Sequence, residues 1–135
     1  MKTILWVEDE KDQYEAFSYY LEKEYKIDRA LDYEDALLKL NKTNYDLIIV
    51  DIIIPSGKKI STLEELKKVR NIFFGVELIQ RIREMNKLNK ILVVTVVKEG
   101  AIQARINAID PNIQIINKYE SGPENIMDIV TKMQV

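Results

Sequence analysis

A doubly wound α/β domain, with a five-stranded parallel sheet and five flanking helices, is the fold class this sequence predicts. Three observations carry that expectation. Short apolar runs alternate with longer segments of helical periodicity from end to end. The strongest run, Leu47-Ile48-Ile49-Val50, is apolar at every position, as a central parallel strand covered on both faces must be. With 135 residues, 47% hydrophobic and 31% charged, the chain fits one globular domain with a single core of ordinary size.

The elements follow in order. Ile4-Leu5-Trp6-Val7 is a buried strand ending in acidic residues. From Lys11 to Tyr25, Tyr14, Phe17, Leu21 and Tyr25 fall at helical spacing. Lys26 to Ala30 is a second, weaker strand. Tyr33 to Lys42 carries Ala36, Leu37 and Leu40 on one face of a second helix. Leu47 to Val50 is the third strand. Gly75 to Asn86 forms the third helix, with Val76, Ile79 and Ile82 inward, and Ile91 to Val97 the fourth strand. Ala101 to Ile109 is helical through Ile102, Ile106 and Ile109, and Ile113 to Ile116 is the fifth strand. Ser121 is placed as an N-cap and Pro123 as an early helical proline, opening a last helix through Ile126, Ile129 and Met133.

One segment breaks this rhythm. Strand-to-helix loops in such units run to about 2–6 residues, yet 52–74 separates the third strand from the third helix. Ser61 or Thr62 followed by Glu64 or Glu65 reads as a capping box, and Leu63, Leu66, Val69 and Phe73 recur at roughly helical spacing. The expectation is one domain over 1–135, with an extra helical insertion at about 56–74. Lys58, Lys59, Lys67, Lys68 and Arg70 make that insertion basic. It reads either as a partner-docking element or as a solvated helix on the sheet edge. The chain stops soon after the fifth helix, so a single domain standing alone is expected.

Composition excludes several chemistries. There are no cysteines and no histidines, so thiol catalysis, zinc–thiolate sites, Ser-His-Asp triads and intrinsic phosphohistidine are ruled out. Lys and Arg number 20 against 22 Asp and Glu, a net charge of −2, and this gives no reason to expect direct nucleic-acid or membrane binding. The four glycines, Gly57, Gly75, Gly100 and Gly122, build neither a GxGxxG turn nor a P-loop. Acidic residues follow Met1 too soon for a secretory signal, and the apolar runs are too short to span a bilayer. A cytoplasmic protein is expected.

Ligands of doubly wound sheets sit beyond the carboxyl ends of the strands, near the reversal of strand order. Glu8, Asp9 and Glu10 follow the first strand, Asp51 closes the third, Thr95 lies late in the fourth and Lys118 follows the fifth. Taken singly, each has a plainer reading: helix cap, β-branched strand residue or solvated lysine. Jointly they gather carboxylates, a hydroxyl and an ammonium at one sheet edge. Crowded carboxylates resist full ionisation, and Mg²⁺ suits a site with few carboxylates, phosphate oxygens and water. Asp51 would then be a nucleophile forming an acyl phosphate. The metal, Lys118 and Thr95 would meet charge on the phosphoryl oxygens.

Ile4-Leu5-Trp6-Val7-Glu8-Asp9-Glu10 is similar to the opening strand and acidic pair of the receiver domains of two-component response regulators. Tyr45 to Pro55 resembles their phosphoacceptor strand, with Asp51 followed four residues later by Pro55. Ala30 to Ala36, Gly75 to Arg83 and Ile91 to Thr95 resemble the second strand and helix start, the third helix and the fourth strand. The resemblance covers the chain except 56–74 and includes single-domain chemotaxis regulators. It implies a flavodoxin-like strand order 2-1-3-4-5 and a switch, not a turnover enzyme. By position, it implies Asp51 as phosphoacceptor, Asp9 as a direct Mg²⁺ ligand, Glu8 acting through water and the Ile53 carbonyl as a further ligand. Thr95 and Lys118 would bind the phosphoryl group. A phosphohistidine on a sensor histidine kinase or histidine phosphotransfer protein would be the donor, and a downstream protein would read the changed surface. Whether the domain forms a homodimer is open.

Four departures from the family stand out. Tyr119 takes the place of the proline usual after the lysine. Ile115 takes that of the aromatic switch residue, and Val96 that of a small residue after Thr95. Ile53 and Val97 are apolar where a polar side chain can orient hydrolytic water, so the phosphorylated form is expected to decay slowly. The first two departures leave a pseudo-receiver, an interaction module that never cycles through phosphorylation, as the rival reading. A phosphatase using an aspartyl phosphate is disfavoured because Ile53 stands where its second aspartate belongs.

Overall fold

The computed structural model of the chain describes residues 1–57 and 73–135. Five strands run parallel in the order β2-β1-β3-β4-β5: β1 (Thr3–Val7), β2 (Lys26–Ala30), β3 (Leu47–Val50), β4 (Lys90–Thr95) and β5 (Gln114–Asn117). Among the described residues five α-helices connect or follow them: α1 (Lys11–Ser18), α2 (Tyr33–Lys42), α3 (Phe74–Glu84), α4 (Gly100–Ile109) and α5 (Pro123–Met133). The predicted fold class and strand order are those observed.

Period-two alternation divides the core into two layers. Leu5, Val7, Ile48, Val50 and Val93 point to one face, where they pack with Leu40 of α2, Ile79 of α3 and Ile106 of α4. Ile4, Trp6, Leu47, Ile49 and Leu92 point to the other, against Phe17 of α1 and Ile126 and Val130 of α5. Strands buried on both faces are why their sequences read as unbroken apolar runs.

Register decides where the polar residues fall. Val7 pairs with Val50 and Val50 with Val93, while Thr95 pairs with Asn117. The carboxyl ends of β1, β3, β4 and β5 therefore lie along one edge. The chain leaves β1 for β2 on one side and returns to β3 on the other, so the strand-order reversal lies between β1 and β3.

Several predicted boundaries move. The helix expected over Lys11 to Tyr25 ends at Ser18 and is followed by a 3₁₀ turn at Leu21–Lys23, closed by the Glu24 and Tyr25 amides donating to the Leu21 carbonyl. Leu21 remains fully buried, so the apolar spacing survives the change in backbone hydrogen bonding. The third helix stops before Asn86 because Asn86 adopts φ 58°, with the Lys87 amide returning to the Ile82 carbonyl. Strand β4 ends at Thr95, short of the predicted Val97. Strand β5 is shifted by one residue, to Gln114–Asn117. Gly122, not Ser121, is the N-cap of α5, with Pro123 in the first turn. Ser121 Oγ instead accepts from Asn125 Nδ2 at 3.0 Å.

The loop after β3 packs on the start of α2. Asp32 caps that helix by accepting from the Asp35 amide at 2.7 Å, and the Tyr33 and Glu34 amides donate to the Pro55 and Ser56 carbonyls. Gly57 turns the chain there with φ 82°, and a Cβ on it would meet the Asp32 carboxylate. Ile54 and Phe73 form an isolated parallel bridge. Of the insertion predicted at about 56–74, residues 58–72, with the capping box and the helical positions before Phe73, lie outside the described residues.

Candidate functional site

Three of the residues singled out, Glu8, Asp51 and Lys118, continue the backbone ladder by one step. The Glu8 amide donates to Ala30 O at 3.0 Å, the Asp51 amide to Val7 O at 3.1 Å, and the Lys118 amide to Thr95 O at 2.9 Å. These bonds carry the side chains out of the sheet at its carboxyl edge while keeping them covered. Glu8, Asp51, Thr95 and Lys118 are 1%, 5%, 0% and 8% exposed, which is unusual for charged groups and marks a specific network.

Lys118 reaches from β5 across β4 to the β1–β3 crevice. Its Nζ donates to Asp51 Oδ2 at 2.7 Å, to Gln13 Oε1 at 2.7 Å and, in a short contact, to Glu8 Oε1. Asp51 Oδ1 accepts from the Ile53 amide at 3.1 Å. No buried side-chain nitrogen or oxygen among the described residues lacks a partner. Burial, reinforced by the nearby Asp51 charge, pushes the Glu8 carboxyl up to about 7 despite the opposing pull of Lys118. Burial by itself would lower the Lys118 pKa, but the Asp51 and Glu8 carboxylates outweigh it and hold the ammonium above its ordinary value.

Three crowded carboxylates were expected here, and two meet. Asp9 is exposed at the mouth, and among the described residues no three carboxylates gather closely enough to form a metal cage. The Lys118 ammonium lies between Glu8 and Asp51 and supplies their countercharge. Thr95 Oγ1 accepts from the Val97 amide at 3.3 Å and is not bonded to Lys118 or Asp51. Ile53 and Val97 are half-buried and apolar, and Ile115 packs against the core beside Val97. No cis peptide occurs among the described residues, and the exposed Tyr119 donates its amide to Asn117 Oδ1.

Sequence reasoning missed two residues at this edge. Gln13 on α1 contacts Lys118 as above. Arg29, paired with Trp6 across β2 and β1, donates to the Glu8 and Asp9 carbonyls at 3.0 Å each, with its guanidinium over the Tyr14 ring. Arg29 thereby fixes the acidic loop. An arginine in an otherwise half-polar edge strand, level with the strand that leads into the acidic run, was the available signal.

A buried carboxylate paired with a buried ammonium thus stands at the switch point of a parallel sheet. The chain belongs to the response regulator receiver domain family, whose model matches residues 4–131, and it is a receiver domain of two-component signalling. It is 29% identical to the response regulator TrrA of Thermotoga maritima, solved with Mg²⁺ and BeF, with a TM-score of 0.72 and 100% of both chains covered. The chemotaxis protein CheY4 of Vibrio cholerae shares the fold at a TM-score of 0.73 and 21% identity, over 98% of each chain. Among curated proteins, the probable transcriptional regulator ycf29 of Porphyra purpurea is 26% identical over 115 residues, 85% of this chain and 47% of that protein. The CpxR homolog of Haemophilus influenzae, a transcriptional regulatory protein, is 36% identical over 73 residues, 53% of this chain and 32% of that protein. The chain thus spans about half, and about a third, of these relatives' lengths. No helix among the described residues is long and apolar enough to cross a membrane.

Proposed function

We propose that this chain is a phosphorylation switch in which Asp51 takes a phosphoryl group from a phosphohistidine on a sensor kinase or phosphotransfer protein. The observation that carries the reading is the buried Asp51 carboxylate, 2.7 Å from the Lys118 ammonium at the crevice between β1 and β3. An Asp51 carboxylate oxygen attacks phosphorus, an O–P bond forms and the donor's N–P bond breaks, its electron pair returning to the imidazole nitrogen. The Ile53 amide on Asp51 Oδ1 orients the carboxylate, and Lys118 offers a charged donor to the arriving phosphoryl oxygens. Thr95, close by on β4, would turn its hydroxyl from the Val97 amide toward the same oxygens.

The buried Glu8 and Asp51 oxygens, where burial and the Asp51 charge disfavour ionisation of Glu8, and the exposed Asp9 next to Glu8 in the chain, are hard donors of the kind a small divalent cation takes. Asp9, Asp51 and the Ile53 carbonyl would hold Mg²⁺ directly and Glu8 through water. When bound, the ion would neutralise charge on the transferred group. TrrA, solved with Mg²⁺ and BeF, supports this choice. The chain modifies itself and does not turn over a substrate, and a downstream protein would read the altered surface.

Incubation with acetyl phosphate, with and without Mg²⁺, tests the reading by intact mass. The expected result is a Mg²⁺-dependent gain of one phosphoryl group that Asp51→Asn abolishes. No gain, with Mg²⁺ binding intact and a cognate kinase also failing, would establish the pseudo-receiver instead. Because Ile53 and Val97 offer no polar group to a hydrolytic water, the gained mass is expected to persist after the donor is removed. Rapid loss in Mg²⁺ buffer without a phosphatase would refute that lifetime.

A further inference from the structure

Lys118 is not held by carboxylates alone. Gln13 lies in the first turn of α1, on an exposed stretch with Asp12, Glu15 and Ala16, and no part of the core needs it. Its Oε1 stands as close to Nζ as Asp51 Oδ2 does, 2.7 Å. Two such contacts on one nitrogen keep the Gln13 and Asp51 oxygens within twice that length, so the amide stands at the rim of the Asp51 pocket. An ammonium has three N–H donors and no acceptor, and Glu8, Asp51 and Gln13 together take all three. Two of these acceptors are buried and charged. Gln13 is exposed and neutral.

We propose that Gln13 is a positioning residue for Lys118. Its carbonyl oxygen draws the ammonium toward the mouth of the pocket and releases it to the phosphoryl group. Without Gln13, only the two buried carboxylates attract Lys118, and the ammonium settles onto the nucleophile and away from the arriving oxygens. With it, the exchange of a neutral acceptor for an anionic phosphoryl oxygen is downhill, because the ammonium gains the Coulomb attraction of a full negative charge that the amide oxygen lacks. The proposal rests on Asp51 being the acceptor.

The test uses the full chain with Gln13→Leu, which keeps size and helix propensity but removes the acceptor, and Gln13→Glu, which keeps an acceptor at the same reach. The Lys118 ammonium is followed by ¹H–¹⁵N NMR in metal-free, unphosphorylated protein. Asp51 phosphorylation by acetyl phosphate is followed by mass. Gln13→Leu is expected to shift or broaden away the Lys118 ammonium signal and to lower the maximal phosphorylation rate by about tenfold, a positioning-sized loss. The half-saturating acetyl phosphate concentration, Mg²⁺ affinity and thermal midpoint should stay near wild type. Gln13→Glu is expected to retain the signal. An unchanged Lys118 signal or maximal rate in Gln13→Leu would overturn the proposal, as would a rate loss matched by lost Mg²⁺ affinity. If the wild-type chain takes no phosphate, the acceptor reading fails by itself, while the NMR signal still reports whether Gln13 holds Lys118.

Discussion

Lys118→Met is expected to slow phosphoryl acceptance by Asp51 by about 10²–10³-fold, the loss that follows removal of one preorganised donor from a reacting oxyanion. The same substitution is expected to cost about 3–5 kcal/mol of stability at about pH 8, because it leaves Glu8 and Asp51 buried and facing each other without countercharge. That second cost should depend on pH, and its sign follows from Glu8. Its carboxyl titrates at about 7 in the fold against an ordinary 4.5. Between those values the folded state binds more protons than the unfolded one, so the Glu8 contribution to stability falls as pH rises through about 7. Lys118 is the partner that lowers the Glu8 value, so its removal moves Glu8 further up and extends the window toward alkaline pH. Urea unfolding in chelator should therefore show a large deficit for Lys118→Met at about pH 8 and a much smaller one at about pH 5, where Glu8 is protonated in either protein. An equal deficit at both pH values would show that Lys118 acts through packing and not through charge.

How much of this was legible in the sequence depended on what kind of signal each residue carried. Strand ends are readable where an apolar run stops abruptly, as at Glu8 and Asp51, and less so at Thr95, where Val96 and Val97 carry the run past the end of the strand. Helix ends were less so. Tyr14, Phe17 and Leu21 report which side chains face inward, and they do so equally well whether the backbone closes as an α-helix or as a 3₁₀ turn. Nothing in Tyr19-Tyr20 resembles a helix terminator, so the break after Ser18 had no sequence mark. Ser121 was a good capping residue one position too early, and Pro123, whose ring fixes the first turn, decided the boundary. Gln13 and Arg29 escaped for a different reason. Each meets the site through a contact long-range in sequence, Gln13 with Lys118 and Arg29 with the Glu8–Asp9 backbone, and an isolated polar residue on a helix or edge strand announces no partner. The meeting of Glu8 and Asp51 around Lys118, with Asp9 exposed, was not legible because it depends on how far the lysine side chain reaches across the sheet.

Gly75→Ala is expected to destabilise the chain by about 3 kcal/mol and to slow phosphorylation of Asp51 by about 10²-fold. A Cβ on Gly75 would stand 2.1 Å from the Asp51 carbonyl oxygen and 2.6 Å from Ile52 Cα, where ordinary contact begins at 3.4 Å. The obstacle is backbone, which cannot rotate out of the way, and the Gly75 amide already donates to Ile52 O at 3.0 Å. The first turn of α3 is therefore bonded to the segment that leads out of β3. Relief requires the helix to back away, breaking that bond and loosening the Val76 and Ile79 packing, or the Asp51 backbone to move. Either movement reaches the acceptor, since Asp51 is oriented by the Ile53 amide on one side and Lys118 on the other. Gly100 supplies the control. It too opens a helix, α4, but a Cβ there meets nothing within 4 Å. Gly100→Ala should thus be neutral or stabilising by up to about 1 kcal/mol through helix propensity and a less flexible unfolded chain. Thermal unfolding of the two variants separates the causes. A Gly75→Ala protein as stable as Gly100→Ala would mean that α3 does not seat against Asp51 as described, and the close backbone approach behind the acceptor would have to be abandoned.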